Sequence, residues 1–263
     1  MTRTLPDPAT VRTLLRHDTM WRRITVVAST GSTNADVADM VRAGEPEGMV
    51  LISAEQTAGR GRLDRTWVSP PGASLSLSML LRPRQELPRW GWLSLLAGMA
   101  VSSTLSGIAP DPTSVHLKWP NDVLVNGAKV CGILSERVEH PDGAMAVVGV
   151  GLNLELGRDE LPVPTATSLE LEGFPVNRDA IVAGVLGHME HYYRHWQDSG
   201  SLAEEYRRRC TSIGSDLTVT VAPGVVVTGR GHGVDEFGRL QVATYDGVRS
   251  FAVGDVVHAR LSD

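Results

Sequence analysis

One segment of the chain combines residue types that could bind a phosphorylated molecule carrying a ring. Between Gly59 and Arg65, three arginines and two glycines occur within seven residues, and Trp67 follows. Glycine lets backbone amides approach a ligand, arginine presents a charged fork to phosphate or carboxylate oxygens, and tryptophan can stack on a ring. The segment suits a loop that closes over a phosphorylated intermediate. Taken alone, a solvated basic turn is an equally good interpretation, since basic clusters are common on protein surfaces.

Small polar side chains stand at the start of a predicted helix and at the end of a predicted strand. Ser32, Thr33 and Asn34 open an apolar-periodic helix over residues 33–43, where free backbone N–H groups favour a polar or anionic ligand. Gln56 follows an apolar strand, and its amide offers a donor and acceptors to a neutral ligand such as a urea. A plain helix cap and a surface residue are the simpler interpretations of these two segments.

A third polar segment surrounds a proline that separates two predicted strands. Lys118, Asn121 and Asp122 flank Pro120, which lacks the N–H needed for strand pairing, so that neighbouring side chains can turn towards a ligand. A β-bulge with solvated charges is the alternative. Lys129 then opens an otherwise apolar strand, as an edge-strand charge or as a cation aimed at a phosphate.

Composition limits the classes of protein to which the chain can belong. The 263 residues carry a net charge of −5 and a sequence pI of about 5.9, which argues against a general nucleic-acid binder. Cys131 and Cys210 form no CxxC pair, so neither zinc nor a disulfide framework is expected, and a reducing cytoplasm is the natural compartment. The start of the sequence lacks a signal-peptide core, and residues 90–105 are too short and interrupted to span a bilayer, which predicts a buried helix and no membrane partner.

The elements that must position these residues follow from the hydrophobic periodicity. Within residues 74–82, Leu75, Leu77, Met79 and Leu81 alternate with three serines and Leu80, which predicts a half-buried strand. Asn126 and Gly127 predict a tight hairpin turn. The pattern predicts an α/β domain with a mixed sheet over residues 1–211. From residue 212 to 263, five short strands with tight turns predict a small SH3-like β-barrel.

These segments, in this order, resemble the biotin protein ligases that lack a DNA-binding domain. The resemblance rests on the following segments of this sequence: Ser32-Thr33-Asn34, Glu55-Gln56-Thr57-Ala58-Gly59-Arg60-Gly61-Arg62, Lys118-Trp119-Pro120-Asn121-Asp122, Lys129 with Gly132-Ile133-Leu134, Gly149-Val150-Gly151-Leu152-Asn153, Gly233-Val234-Asp235 and Gly238-Arg239-Leu240. It implies a class II synthetase-like catalytic domain of the α+β kind, followed by the barrel.

The resemblance also implies a reaction in two steps. Biotin and ATP, with Mg²⁺ bridging the phosphates, would give biotinyl-5′-AMP and pyrophosphate. A lysine of the biotin carboxyl carrier domain of acetyl-CoA carboxylase or a related carboxylase would then take the biotinyl group and release AMP. The resemblance does not name protein ligands for Mg²⁺.

It further implies roles for individual residues. The expected catalytic residues are Arg62, Lys129 and Asp122. The expected biotin-binding residues are Ser32, Thr33, Asn34, Gln56, Arg60, Gly61, Arg62, Lys129 and Gly132. The expected ATP- and adenylate-binding residues are Arg60, Arg62, Arg65, Trp67, Asn121, Lys129 and Asn153.

The sequence departs from the family pattern at a few positions. Gly31 stands where an acidic residue or serine is usual, Leu63-Asp64 where small or basic residues are usual, and Cys131 where alanine or glycine is typical. Asp64 lowers the charge of the arginine segment, and no role is predicted for it.

Three competing functions are weighed against the resemblance. A lipoate-protein ligase shares the adenylation chemistry but needs an apolar tunnel, whereas Gln56 and the 32–34 segment favour a polar ureido ring. A biotin-sensing repressor needs a DNA-binding domain, and only about twenty residues precede the first predicted strand, so no DNA binding is expected. A pure binding module built on the barrel conflicts with the catalytic-type groups upstream. We expect a monomer or weak homodimer.

Overall fold

The computed structural model describes residues 3–62, 65–222, 225–252 and 254–258. Its α-helices are α1 Pro8–Leu14, α2 Thr33–Arg42, α3 Trp92–Ser106, α4 Arg178–Ser199 and α5 Ala203–Arg207. Its strands are β1 Arg23–Val27, β2 Met49–Ser53, β3 Ser74–Leu81, β4 Val115–Lys118, β5 Asp122–Val125, β6 Ala128–Val138, β7 Met145–Asn153, β8 Asp216–Ala222, β9 Val225–Val234, β10 Leu240–Thr244, β11 Gly247–Phe251 and β12 Asp255–His258.

Seven strands form a mixed sheet in the order β1-β2-β3-β7-β6-β5-β4. Only β1 and β2 run parallel, and the other neighbours are antiparallel. The largely buried α3 and the long α4 cover one face of this sheet and bury the main core. α2 covers the other face through a smaller apolar cluster that includes Val37 and Val41. This arrangement confirms the predicted mixed-sheet α/β class.

The burial of β3 differs from the sequence-based prediction. Leu75, Leu77 and Met79 enter the main core as expected, but every residue of β3 is buried, so the prediction of a half-buried strand is wrong. Its serine face lies under α2, where the Ser78 hydroxyl bonds to α2 side chains. The polar side of the alternation therefore faces a polar part of the protein rather than solvent.

The turns that flank the central strands explain where the polar segments lie. The Trp119–Pro120 peptide bond is cis and joins β4 to β5, so the chain reverses within the polar 118–122 segment. Asn126 and Gly127 take left-handed φ values of 49° and 79°, as the hairpin prediction requires. Lys129 lies in β6, between β5 and β7, so its interpretation as an edge-strand charge is wrong. Thr33 or Asn34 was the expected cap of α2, but Ser32 occupies the cap position and makes no side-chain cap bond, so the interpretation of this segment as a plain helix cap is wrong.

Five antiparallel strands form the second sheet, in the order β11-β10-β9-β8-β12, consistent with the predicted small barrel. Its buried side chains join the same apolar core as the first sheet. The indole N–H of Trp119 donates to the carbonyl of Gly238 at 3.1 Å, which ties the 118–122 segment to the second sheet. The predicted turn at 223–224 and the predicted strand end at 259–261 lie outside the described residues. The domain division at residue 211 stays a prediction.

The long apolar segment 90–105 covers the end of the 3₁₀ turn Leu87–Gly91 and most of α3, and α3 is buried as predicted. In the described part of the chain, no helix has both the length and the apolar character needed to cross a membrane.

Candidate active site

The polar segments of the sequence converge on one cavity of about 380 Å³. Its walls come from the start of α2, the arginine segment, the turn between β4 and β5, and the middle of β6 and β7. The predicted site residues that line it are Ser32, Thr33, Asn34, Gln56, Arg60, Gly61, Arg62, Arg65, Trp67, Asn121, Asp122, Lys129 and Gly132. Segments as much as a hundred residues apart in the sequence thus share one surface.

The arginine segment forms a small hairpin at the mouth of the cavity. The amide of Gly61 donates to the carbonyl of Arg65 at 2.6 Å, and the amide of Trp67 donates to the carbonyl of Gly59 at 2.9 Å. A β-carbon on Gly59 would come within 2.4 Å of the Trp67 carbonyl, so the close approach requires glycine there. Leu63 and Asp64, the departures from the family pattern, lie outside the described residues.

Two glycines on neighbouring strands make room for the indole of Trp67. Gly132 of β6 lies opposite Gly151 of β7. A β-carbon would lie 3.0 Å from the ring at Gly132 and 2.6 Å from it at Gly151. The indole N–H is buried and donates to no acceptor in the described part of the chain. Trp67 therefore covers bare backbone at the sheet surface, with its N–H turned towards Gly151.

Gln56 has a more specific arrangement than its sequence position indicates. Its side-chain oxygen accepts hydrogen bonds from the Thr33 amide at 2.8 Å and the Thr33 hydroxyl at 3.0 Å. The oxygen thus satisfies a free donor at the first turn of α2. The acceptor that the sequence analysis offered to a ligand is already used, which leaves the amide NH₂ of Gln56 to face the cavity.

Lys129 and Asp122 form an ion pair on the opposite wall. The Lys129 Nζ lies 2.6 Å from Asp122 Oδ1, and the two side chains are 36% and 22% exposed. Beside them, the Asn121 amide accepts from Arg62 Nη1 at 3.2 Å and donates to the Ile133 carbonyl at 2.6 Å. The pair and the amide hold two cationic groups next to each other without closing them off from the cavity.

Asn153 is the one predicted site residue that does not line the cavity. It is buried, its oxygen accepts from the Ser74 hydroxyl at 3.2 Å, and its NH₂ donates to the Thr167 carbonyl at 3.0 Å. The side chain therefore joins β3, β7 and the segment after β7. The expected contact of Asn153 with the nucleotide is not supported by this position.

The sequence analysis missed several residues near the site. Ser76 lines the cavity, as do Gly254, Val256 and Val257 near the second sheet. Lys118, which was predicted to turn towards a ligand but was given no role, lines it as well. Glu136 lies just beyond the lining and contacts two of its side chains. The alternating serines of β3 carried a signal for Ser76, because a polar strand face that is buried must meet polar partners. No comparable signal marked Glu136.

The charge of the cavity is opposite to that of the chain. Among the described residues, one carboxylate, Asp122, lines the cavity together with five cations. The five cations are Arg60, Arg62, Arg65, Lys118 and Lys129. Cys131 is buried beside the ion pair, and burial raises the pKa of its thiol despite the nearby Lys129 charge. The Cys131 thiol therefore stays protonated. The cations of the lining suit the cavity to bind anions and to bring two of them together.

Comparisons with known proteins agree with this geometry. The chain matches the Biotin/lipoate A/B protein ligase family over residues 26–153 and the Biotin protein ligase C terminal domain over residues 213–259. It is 39% identical over 244 residues to a biotin--[acetyl-CoA-carboxylase] ligase of Mycobacterium tuberculosis, with 91% of this chain and 90% of that protein covered. It is 32% identical over 241 residues to the bifunctional ligase/repressor BirA of Bacillus spizizenii, with 88% of this chain and 71% of that protein covered.

A solved structure gives the same result for the fold. A biotin protein ligase from Aquifex aeolicus, in complex with biotin and ATP, is similar with a TM-score of 0.74 and 26% identity. The similarity covers 91% of this chain and 100% of that one. The two family matches, over residues 26–153 and 213–259, together include every described residue that lines the cavity. On this evidence the chain belongs to the biotin protein ligase family.

Proposed function

We propose that the chain is an ATP-dependent ligase that activates biotin as biotinyl-5′-AMP and transfers it to a lysine of a biotin carboxyl carrier domain. In the first step a carboxylate oxygen of biotin attacks the α-phosphorus of ATP. The bond from that phosphorus to the bridging oxygen breaks, and pyrophosphate leaves. In the second step the lysine amine attacks the acyl carbon, the acyl–oxygen bond breaks, and AMP leaves with the bonding electrons.

The observation that carries this proposal is the cation-lined cavity of an acidic chain. The carboxylate and the triphosphate repel each other, so the first step needs fixed positive charge where the two anions meet. Arg62 and Lys129 lie on facing elements of the described cavity wall and can supply it. A neutral polar end, built by α2 and Gln56, suits the uncharged ureido ring.

The proposed catalytic residues meet at the Asn121-Asp122 segment of the cavity lining. Lys129 stabilises the charge that develops on the phosphorus and later on the departing AMP. Asp122 fixes the Lys129 ammonium at 2.6 Å and positions the incoming lysine of the carrier domain. Arg62 approaches from the hairpin, where Asn121 holds one of its Nη atoms at 3.2 Å.

The remaining contacts are proposed from the same geometry. Biotin is bound by Ser32, Thr33, Asn34, Gln56, Arg60, Gly61, Arg62, Lys129 and Gly132. The ATP and the adenylate are bound by Arg60, Arg62, Arg65, Trp67, Asn121 and Lys129, and we do not assign Asn153 to this set. Lys118 is a further cation of the cavity wall, available to the phosphates.

Mg²⁺ enters this scheme as the metal of the ATP substrate. The described residues offer no group of three His, Cys, Asp or Glu side chains that could hold a metal ion. Asp122, the described carboxylate of the lining, already pairs with Lys129. The donor set therefore fits an ion carried by the phosphates rather than a resident protein-bound metal.

The protein partner is the carrier domain, and we propose no DNA or membrane partner. A cytoplasmic location agrees with Cys131 and Cys210, which are both free and buried. A monomer or weak homodimer remains our proposal for the oligomeric state. The lipoate-ligase alternative is less supported, because the relatives described above are biotin ligases.

Exchange of labelled pyrophosphate into ATP tests the first step without a carrier. The purified protein should catalyse this exchange only when biotin and Mg²⁺ are present. Label enters ATP only when biotinyl-5′-AMP forms and then reacts back with pyrophosphate. Lipoate in place of biotin serves as the matched control. Exchange that ignores biotin, or that lipoate supports equally well, would overturn the proposal.

A further inference from the structure

Glu136 links two side chains of the cavity although it does not line the cavity itself. One carboxylate oxygen, Oε2, accepts from Asn34 Nδ2 at 2.7 Å and lies 2.9 Å from Arg60 Nη2. Asn34 belongs to α2 and Arg60 to the hairpin, and these residues stand 102 and 76 positions from Glu136 in the chain. Glu136, on β6, is therefore the point where the hairpin and the helix are held against the same strand.

Asn34 can take only one orientation in this arrangement. Its NH₂ donates both to Glu136 and to the Leu134 carbonyl, the latter at 3.2 Å, while its oxygen accepts from the Ser78 hydroxyl at 2.6 Å. A β-carbon on Gly149 would lie 2.3 Å from that oxygen, so the side chain also rests on bare backbone. With all of these groups satisfied, Asn34 acts as a rigid support for Glu136.

The hydrogen bonds continue from Asn34 to the ureido end of the cavity. The Ser78 hydroxyl also lies 2.8 Å from the hydroxyl of Thr33, and the backbone amide of Thr33 donates to the side-chain oxygen of Gln56 at 2.8 Å. One chain of contacts therefore runs from the Arg60 guanidinium through Glu136, Asn34, Ser78 and Thr33 to Gln56. A connected network of this kind fixes the relative positions of its members better than separate bonds do.

Arg60 is only partly used by this contact. Its side chain is 47% exposed, it lines the cavity, and one Nη atom bonds to Glu136. A guanidinium has five N–H donors in a planar fork, so fixing one corner orients the others. The carboxylate also offsets the repulsion that Arg60 meets from the other cations of the wall.

We propose that Glu136 is a positioning residue for biotin activation, which holds Arg60 towards the carboxylate of biotin and in register with the ureido-binding end of the cavity. The inference rests on the proposed function. Glu136 touches neither substrate and acts through Arg60 and Asn34. Its loss should weaken the binding of biotin more than it slows the chemical step.

The test compares Glu136→Gln with the wild type in biotin-dependent pyrophosphate exchange. Glutamine keeps the shape and can still accept from Asn34, but it removes the charge that holds Arg60. The KM for biotin should rise about tenfold, the effect of losing one charge-assisted bond, while kcat changes by less than about threefold. Glu139→Gln is the matched control, because Glu139 pairs with Arg137 just beyond β6 on the exposed surface, and it should leave both constants unchanged.

A double-substitution cycle separates positioning from a merely structural role. Arg60→Gln should raise the KM for biotin on its own, and adding Glu136→Gln should then change it by less than about twofold, because the two residues act as one unit. Should Glu136→Gln fail to fold, Glu136→Asp, which keeps the charge but shortens the side chain, is measured in its place. An unchanged KM, additive effects, or an equal loss in Glu139→Gln would overturn the inference alone. A wild-type protein without biotin-dependent exchange would instead contradict the proposed function and the inference with it.

Discussion

Trp67 packs its indole directly on the backbone of Gly151, so that a β-carbon at position 151 would lie 2.6 Å from a ring carbon. The segment that carries Trp67 is held by two bonds, from the Trp67 amide to the Gly59 carbonyl and from the Gly61 amide to the Arg65 carbonyl. Gly151 therefore sets where Trp67 can cover the cavity.

Replacing Gly151 by alanine should displace Trp67 and weaken the binding of ATP. Overpacking of this kind costs about 1–3 kcal/mol, so the KM for ATP should rise about tenfold. The measurement is pyrophosphate exchange at varied ATP. Gly187→Ala is the control, since Gly187 lies in α4 with open space at its β-carbon and alanine there should stabilise the helix by about 1 kcal/mol. An unchanged KM for ATP in Gly151→Ala would count against Trp67 as the nucleotide cover.

Removal of either proposed catalytic cation should abolish most adenylate formation. Lys129→Ala and Arg62→Ala should each lower kcat for pyrophosphate exchange by about 10²–10³-fold, the usual effect of losing a group that stabilises transition-state charge. Arg16→Ala, which removes an exposed arginine paired with Asp18, should leave kcat unchanged. Near-normal exchange in both folded variants would exclude the assignment of this wall as the catalytic one.

The two asparagines of the site should separate binding from stability. Asn153→Ala leaves the buried Ser74 hydroxyl and Thr167 carbonyl without their partner, so the free energy of unfolding in urea should fall by about 1–3 kcal/mol. Its KM for ATP should stay within about twofold of the wild type. Asn121→Ala should instead raise the KM for ATP, because it removes the acceptor that orients one Nη atom of Arg62 within the cavity. A large rise in the KM for ATP with Asn153→Ala would restore its role as a nucleotide ligand.

These two asparagines also show how far the sequence could predict the site. Residue type and order identified the arginine segment, Gln56 and Lys129, because several segments together, in this order, resemble one family, whereas each alone also has a simpler interpretation. The same reasoning could not distinguish Asn121 from Asn153, since only the packing of β3 against β7 turns Asn153 away from the cavity. Glu136 was missed because its role depends on partners 76 and 102 positions away.

The fold was predicted more completely than the site. Alternation and turn residues located the strands and the hairpin at Asn126, because these signals are local. The burial of both faces of β3 was not predicted, since it depends on α2 packing over the serines. The capping of α2 by Gln56, 23 residues from Thr33, likewise has no local signature.

Both cysteines should resist thiol reagents in the folded protein. Burial raises the pKa of Cys131 and of Cys210, so neither forms the reactive thiolate at pH 8. Labelling with a disulfide reagent should give no thiolate signal in buffer and two equivalents in denaturant, from the two cysteines of the chain. Rapid labelling of the native protein would contradict the burial described here.

The same shifts predict a pH dependence of stability. A folded-state pKa raised above the unfolded value means that the folded state keeps its proton longer, so this contribution is complete below the unfolded thiol pKa of about 8.5 and is lost as the pH rises above it. The free energy of unfolding in urea should therefore decline from about pH 8.5 upwards. Replacing both cysteines by alanine should reduce that slope, and an unchanged slope would assign the decline to other groups.

Mass spectrometry of a biotin carboxyl carrier domain tests the central claim most directly. The domain is incubated with the purified protein, ATP, Mg²⁺ and biotin, beside reactions with lipoate, without ATP, and with an acceptor whose lysine is replaced by arginine. The account predicts a mass increase of one biotinyl group on the lysine-bearing domain in the complete reaction alone. An unmodified carrier in that reaction, or equal transfer of lipoate, would contradict it.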